Sequence, residues 1–255
     1  MTSPPTFRSS SRAHASLALL ALLALCAFVL TALWTQWARD DLDWVHATLS
    51  LYLHGPWGLA LRTAYCVLAV AIMLLAWSLH AGLQSPRRSA AAPLLFVMAG
   101  LGLMGVAVGD SWLPGMAPLL APLVHGVAAN TAFLCVSVAM LLQSWYLRAD
   151  PRWTRWAGLA WGWAWLCFVL LWLHVLWRGP PRGAGQKLVI AAVVLWLAAV
   201  ALQQWGQTRH AGRRRHALYI PLARHRRIVG GLFREASRCG QSAVGGGGVW
   251  FCAEC

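Results

Sequence analysis

The stretch SLALLALLALCAFVLTALW, residues 16–34, carries no charged side chain and is long enough to cross a bilayer as a helix. Five further apolar runs follow it along the chain. The sequence therefore predicts an all-α membrane bundle of six spanning helices, at about 16–34, 59–82, 91–109, 117–143, 156–177 and 188–205. Residues 1–15 form a polar arm before this bundle, and residues 206–255 form a basic tail after it.

A cleaved signal peptide is the alternative interpretation of the first run. No cleavage pattern of small residues follows it, and Leu25 precedes Cys26 where a lipoprotein signal needs a small residue. We therefore expect residues 16–34 to be retained as a helix.

Composition excludes an ordinary soluble domain. Hydrophobic residues make up 59% of the chain and charged residues only 11%, against about 25% in soluble proteins. The net charge of +14 would suit nucleic acid or anionic lipid. The basic residues lie at the ends of apolar runs and in the tail, which favours membrane lipid as the partner and not nucleic acid. Arginine predominates and Lys187 is the single lysine, a bias typical of a GC-rich bacterial genome.

The basic residues also predict the orientation. With six helices, the arm, the second and fourth loops and the tail share one side. Five of the 21 basic residues lie on the other side, which leaves 16 on the side of the termini; the five are Arg39, Arg62, Arg178, Arg182 and Lys187. We therefore expect a multi-pass protein of the bacterial cytoplasmic membrane with both termini in the cytoplasm.

The tail has two interpretations that the sequence leaves open. It contains an arginine cluster and the run Gly245–Gly248, which are typical of a disordered segment touching anionic cytoplasmic lipid. Alternatively, it is the frameshifted end of a reading frame.

Four short motifs occur in order along the chain: HATLSLYLHGPWGLALR (46–62), GVAVGDSWLP (105–114), HGVAANTAFL (125–134) and GAGQK (183–187). With them, the chain from about Trp44 to Trp205 resembles the uncharacterised membrane family known as domain of unknown function 998. That family is related in architecture to the Frag1/DRAM/Sfk1 group of six-helix membrane proteins. The resemblance implies a six-helix bundle in the cytoplasmic membrane and no established activity.

The predicted topology places a set of polar residues at the outer face of the membrane. Ionisable groups near lipid are costly, so they are usually partnered or functional. We expect Asp110 to end the third helix and to lie close to His125, because a short loop joins them. The other members of the set are His46, Ser50, His54, Asn130, His174 and Gln186.

Three functions are compatible with this set. The first is an accessory, non-catalytic membrane protein of unknown role. The second is an enzyme acting on a lipid or lipid-linked substrate at the outer leaflet, with Asp110, His125 and Ser50 as the catalytic candidates. The third is a haem- or quinone-binding protein using His125 and His174. The candidates for ligand binding are His46, His54, Asn130, His174 and Gln186.

Cys252 and Cys255 could join Cys239 and His225 in a zinc site, but four ligands scattered over a Gly-rich tail do not favour one, and the outer polar set has no metal-ligand spacing, so the sequence predicts neither a metal nor a cofactor. It leaves open whether the protein is an enzyme and what its oligomeric state is.

The orientation gives a first prediction. Reporter fusions placed after Arg88, Arg155 or Trp205 should behave as cytoplasmic, because the arginine-rich loops stay inside. A fusion after Pro114 should behave as external. An external signal from the Trp205 fusion would mean an odd number of spans.

Overall fold

The computed structural model describes residues 6–84, 89–177 and 179–207, except for the side chains of residues 6–12, Asp110 and Ser111. Within these residues there are six long helices, one 3₁₀ helix and no strand. They are α1 (Thr6–Trp37), the 3₁₀ helix η1 (Leu49–Leu53), α2 (Gly58–Gly82), α3 (Ala91–Met116), α4 (Ala121–Arg148), α5 (Thr154–Leu176) and α6 (Arg182–Gln207). The predicted tail from residue 208 onward and residues 1–5 of the predicted arm lie outside the described residues.

The predicted all-α bundle with six spans is confirmed. Each long helix contains a stretch that is long and apolar enough to cross a membrane. The 25 residues of α2, for example, extend about 37 Å at 1.5 Å per residue, more than a hydrocarbon core of about 30 Å. Large apolar side chains also face away from the bundle, among them Leu30, Leu59 and Leu159. The chain is a multi-pass membrane protein.

Helix α3 does not end at Asp110 as expected. It continues through Pro114 to Met116 before Ala117 leaves the helical conformation. Proline lacks the N–H that would bond to the carbonyl four residues earlier, but in the last turn this removes only one bond. Helix α4 correspondingly begins at Ala121, and not at Ala117. The α3–α4 connection is therefore residues 117–120, where the sequence indicated residues 110–116.

Small residues bring α3 and α4 together. A Cβ added to Gly102 would lie 2.7 Å from the carbonyl oxygen of Ala128 and 2.8 Å from the backbone nitrogen of Ala132. At Gly105 it would lie 3.2 Å from the Ala128 Cβ. Such close approach is the usual role of small residues between spanning helices. At Gly109 the nearest atoms would be at an ordinary contact distance, so Gly102 is the more constrained position.

A buried carboxylate joins the helix ends on the opposite face. Asp150, in the α4–α5 connection, is fully buried. It accepts hydrogen bonds from the Arg152 guanidinium (Nη2 at 2.7 Å) and from the backbone N–H of Gln84 (2.9 Å), just after α2. The Arg152 side chain also donates to the carbonyl of Gly82, and its own carbonyl accepts from Gln207 at the end of α6. We call Asp150 and Arg152 the inner latch.

The inner latch gives a stability prediction. Burial alone would raise the pKa of Asp150, but the hydrogen bonds from Arg152 and Gln84 outweigh burial and lower that pKa below its ordinary value. The charged form is therefore stabilised in the folded state. Asp150→Asn should lower the free energy of unfolding by about 1.5–3 kcal/mol near neutral pH.

The pH dependence has a definite sign. Because the folded-state pKa is depressed, the contribution of Asp150 is present above its unfolded pKa and is lost as the pH falls through the folded one. Thermal unfolding in detergent should thus show the gap between wild type and Asp150→Asn narrowing below about pH 4. Asp40→Asn removes the same charge from an exposed position and serves as the control. Equal melting temperatures for both variants at neutral pH would contradict a role for the inner latch.

Candidate functional site

The connection between α1 and α2, residues 38–57, folds against the bundle and does not extend freely into solvent. We call it the α1–α2 loop. Its centre is η1, in which Leu49, Tyr52 and Leu53 are buried. Arg62 at the start of α2 donates from Nε to the carbonyl of Leu53 at 2.8 Å. The loop is thus packed as part of the fold.

The first turns of α6 hold the α1–α2 loop through polar contacts. The backbone N–H of Leu49 donates to Oε1 of Gln186 at 2.8 Å. The backbone N–H of Ala184 donates to the carbonyl of Val45, also at 2.8 Å. Two motifs that are distant in the sequence, residues 46–62 and residues 183–187, therefore meet in the structure.

Lys187 and Gly183 complete this junction. The Lys187 ammonium donates to the carbonyl of Trp44 at 2.6 Å and lies 5.1 Å from the ring centroid of Tyr52, a cation–π distance. A Cβ on Gly183 would lie only 2.4 Å from the carbonyl oxygen of Ala47. Only glycine allows the loop backbone to approach α6 this closely.

Charges of the α1–α2 loop are paired within it. Arg39 donates to both carboxylate oxygens of Asp41, at 2.6 and 2.7 Å, and thereby lowers the pKa of Asp41. His46 Nδ1 lies 2.6 Å from Asp43, whose pKa is lowered by hydrogen bonds from His46 and from the backbone of Val45. These exposed pairs contribute little stability but neutralise the loop locally.

A cavity of about 90 Å³ lies beneath the α1–α2 loop, between α1, α2, α3, α4 and α6. Ser50, His125 and Gln186 line it at the end nearest the loop. The rest of its wall is apolar and includes Phe28, Ile72, Val106, Phe133, Val136 and Leu197. The eleven-residue separation from Gln186 to Leu197 along α6 corresponds to about 16 Å, roughly half the hydrocarbon thickness. The cavity is thus an apolar slot with hydrogen-bonding groups at one end.

The model of a family described as "Protein of unknown function (DUF998)" matches residues 12–203. The chain belongs to this DUF998 family. No curated protein and no solved structure matches it.

Of the polar set predicted from sequence, this DUF998 protein brings three members to the cavity. Ser50, whose hydroxyl is 3.1 Å from that of Thr48, lines it together with the half-buried His125 and Gln186. Asp110 lies on α3, but its side chain is outside what the structure describes.

The remaining candidates lie elsewhere. His46, His54 and Asn130 are exposed and are not among the residues that line the cavity. His174 lies against α6, where a Cβ on Gly185 would be 2.6 Å from its Nδ1. Within the described residues, no group of three or more His, Cys, Asp or Glu side chains is placed to hold a metal ion.

The contacts of Lys187 with Trp44 and Tyr52 were not predicted from the sequence, where Lys187 counted as a basic residue and as the end of the motif GAGQK. One signal was available: Lys187 is the single lysine in a chain that otherwise uses arginine. An ammonium can donate to a carbonyl while its alkyl stem packs against a ring, whereas the planar guanidinium of arginine imposes another geometry.

The junction between the α1–α2 loop and α6 gives a third prediction. Gln186→Leu leaves the Leu49 N–H without its acceptor, at a cost of about 1 kcal/mol or more. The open fraction of the α1–α2 loop should rise about fivefold, and trypsin cleavage after Arg39 in the detergent-solubilised chain should accelerate accordingly.

Gln36→Leu is the matched control, since among the described residues the Gln36 side chain donates to the carbonyl of Ala32 in its own helix. Equal cleavage rates for the two variants would show that Gln186 does not hold the α1–α2 loop.

Proposed function

We propose that this protein is a non-catalytic membrane protein that binds the apolar chain of a lipid or lipid-linked molecule in the cavity beneath the α1–α2 loop. The observation that carries this proposal is the composition of the cavity wall. Apolar side chains from five helices line its length, and Ser50, His125 and Gln186 lie together at one end. Most small-molecule sites combine apolar walls with a few placed polar groups in this way.

The polar end must provide the selectivity. A chain that moves from the bilayer into the cavity leaves one apolar environment for another, so it gains little hydrophobic free energy. Discrimination between lipids then depends on hydrogen bonds at Ser50, His125 and Gln186. Each neutral hydrogen bond contributes about 0.5–1.5 kcal/mol.

The polar group of the bound ligand is uncharged in this proposal. Three cations are bonded to groups of the α1–α2 loop and so already have a partner within the protein, while Arg182 at the start of α6 is exposed and does not line the cavity. Lys187 donates to the Trp44 carbonyl, Arg62 to the Leu53 carbonyl, and Arg39 to Asp41. A hydroxyl or carbonyl group suits the serine, glutamine and histidine side chains that line the polar end better than a phosphate does.

Two alternatives share the same cavity. A membrane enzyme would use Ser50 and His125, because both line the cavity. Such an enzyme would convert a lipid-linked substrate, and lipid analysis after incubation would detect the product. A quinone also suits the cavity, because its carbonyl oxygens are neutral hydrogen-bond acceptors. Haem fits less well, because the second histidine it needs, His174, is not among the lining residues.

The membrane context follows from the orientation. With both termini in the cytoplasm of a bacterial cell, the α1–α2 loop and the polar end of the cavity would face the outer leaflet. Asp110 belongs to this proposal as a partner of His125 at similar depth. A basic tail would contact anionic lipid on the inner face, and the architecture would be shared with the Frag1/DRAM/Sfk1 group.

The binding prediction uses two matched probes, a long-chain alcohol and its phosphate monoester, each with a diazirine in the chain. Photolabelling of the full chain in bilayer nanodiscs should attach the alcohol to peptides of α4 and α6. The phosphate monoester should label them more weakly. Ser50→Ala should reduce labelling by the alcohol about two- to tenfold.

Ala129→Phe fills the cavity and should abolish labelling. Val127→Phe adds the same side chain to the exposed side of the same helix and should leave it unchanged. An unchanged extent of labelling in the Ala129→Phe variant would overturn the proposed function. Preferential labelling by the phosphate monoester would keep the cavity as a lipid site but contradict the uncharged polar end.

A further inference from the structure

Arg148, the last residue of α4, is held by two tryptophans on the face opposite the α1–α2 loop. Its guanidinium carbon lies 5.4 Å from the ring centroid of Trp145 and 5.6 Å from that of Trp161. The two rings are themselves 5.6 Å apart. Tryptophan is the strongest cation–π partner among the aromatic residues, and one ring comes from α4 while the other comes from α5. The cation is therefore fixed by both helices.

Among the described residues, no protein group accepts a hydrogen bond from the Arg148 guanidinium. Its contacts within the described part of the chain are with aromatic rings, and no carboxylate or carbonyl there accepts from it. Nearby Arg152 differs, since its guanidinium donates to Asp150 and to the Gly82 carbonyl. Arg148 is exposed, so its planar set of N–H donors is held in place and open to a ligand.

The surroundings of Arg148 form a recess at a membrane boundary. Trp145, Tyr146, Arg148 and Ala149 border an open space of about 330 Å³. This space lies at the end of a spanning helix, where tryptophan rings and lipid phosphates occupy the same depth. Trp145 is 46% exposed and Trp165, one turn beyond Trp161 on α5, is 44% exposed, so tryptophan side chains near Arg148 face outward from the bundle.

We infer that Arg148, with Trp145 and Trp161, binds the phosphate of an anionic phospholipid in the leaflet at this face. A guanidinium can donate two parallel hydrogen bonds to a phosphate, and a planar cation stacked on aromatic rings loses little further freedom when it does so. The tryptophan rings contact the glycerol and upper acyl chain of the same lipid. A lipid is favoured over free phosphate because exposed tryptophan rings lie beside the guanidinium at the end of a spanning helix. This site is separate from the proposed cavity.

Native mass spectrometry of the full chain in neutral detergent tests the inference. The probes are phosphatidylglycerol, phosphatidylcholine with the same acyl chains, and inorganic phosphate. Wild type should retain phosphatidylglycerol in preference to phosphatidylcholine. Arg148→Ala should lower the affinity for phosphatidylglycerol about tenfold. Trp161→Leu should lower it less, since the charge remains but is no longer fixed.

Arg155→Ala is the matched control, because Arg155 is an exposed arginine in the first turn of α5. It should leave phosphatidylglycerol binding unchanged. Arg148→Lys keeps the charge and covers the case in which the alanine variant fails to fold; it should bind more weakly than wild type. Equal losses from Arg148→Ala and Arg155→Ala would overturn the inference in favour of a diffuse charge effect. Displacement of phosphatidylglycerol by inorganic phosphate at similar concentration would overturn the assignment to a lipid.

Discussion

The hydrogen bond from the backbone of Leu49 to the side chain of Gln186 determines where one end of the cavity lies. A backbone N–H buried at the edge of a membrane needs an acceptor, and here a side chain on another helix provides it. That bond holds η1 against α6, so Ser50 faces the cavity beside Gln186. Gly183 makes the approach possible because it has no Cβ to meet the Ala47 carbonyl.

The cations at the two faces of the bundle are held by different kinds of interaction. At the α1–α2 loop, lysine and arginine side chains donate to backbone carbonyls or to a carboxylate. These bonds hold the loop against the bundle and give each of the three cations an acceptor. On the other face, Arg152 is matched in the inner latch, whereas the contacts of Arg148 with described residues are with tryptophan rings. Cations with an acceptor in the protein hold parts of the fold together. Arg148, whose contacts with described residues are with rings, is instead placed to bind a lipid phosphate.

Sequence alone was sufficient for the six spans, because runs without charge have few structures available to them in lipid. It was less successful at helix ends. The sequence around Asp110 and Pro114 looks like a break, yet α3 continues because a proline in the last turn removes only one bond. Ser50, His125 and Gln186 could be placed at one face from the topology. Their shared cavity depends on how η1 folds, which no periodicity encodes. Asp150 was missed because its burial depends on contact with the distant α2–α3 connection, where the backbone N–H of Gln84 donates to it.

The depth of the cavity has a consequence for chain length. Its lining extends from Gln186 to Leu197, and Ile72 and Val136 also border it. A linear ligand anchored at the polar end would reach about the middle of the bilayer, some 16 Å away. A longer chain would have to bend or leave between helices, and a shorter one would leave a void whose walls lose their dispersion contacts. The depth of the cavity would thus select ligands by chain length, while the polar residues at its end select them by the chemistry of the polar group.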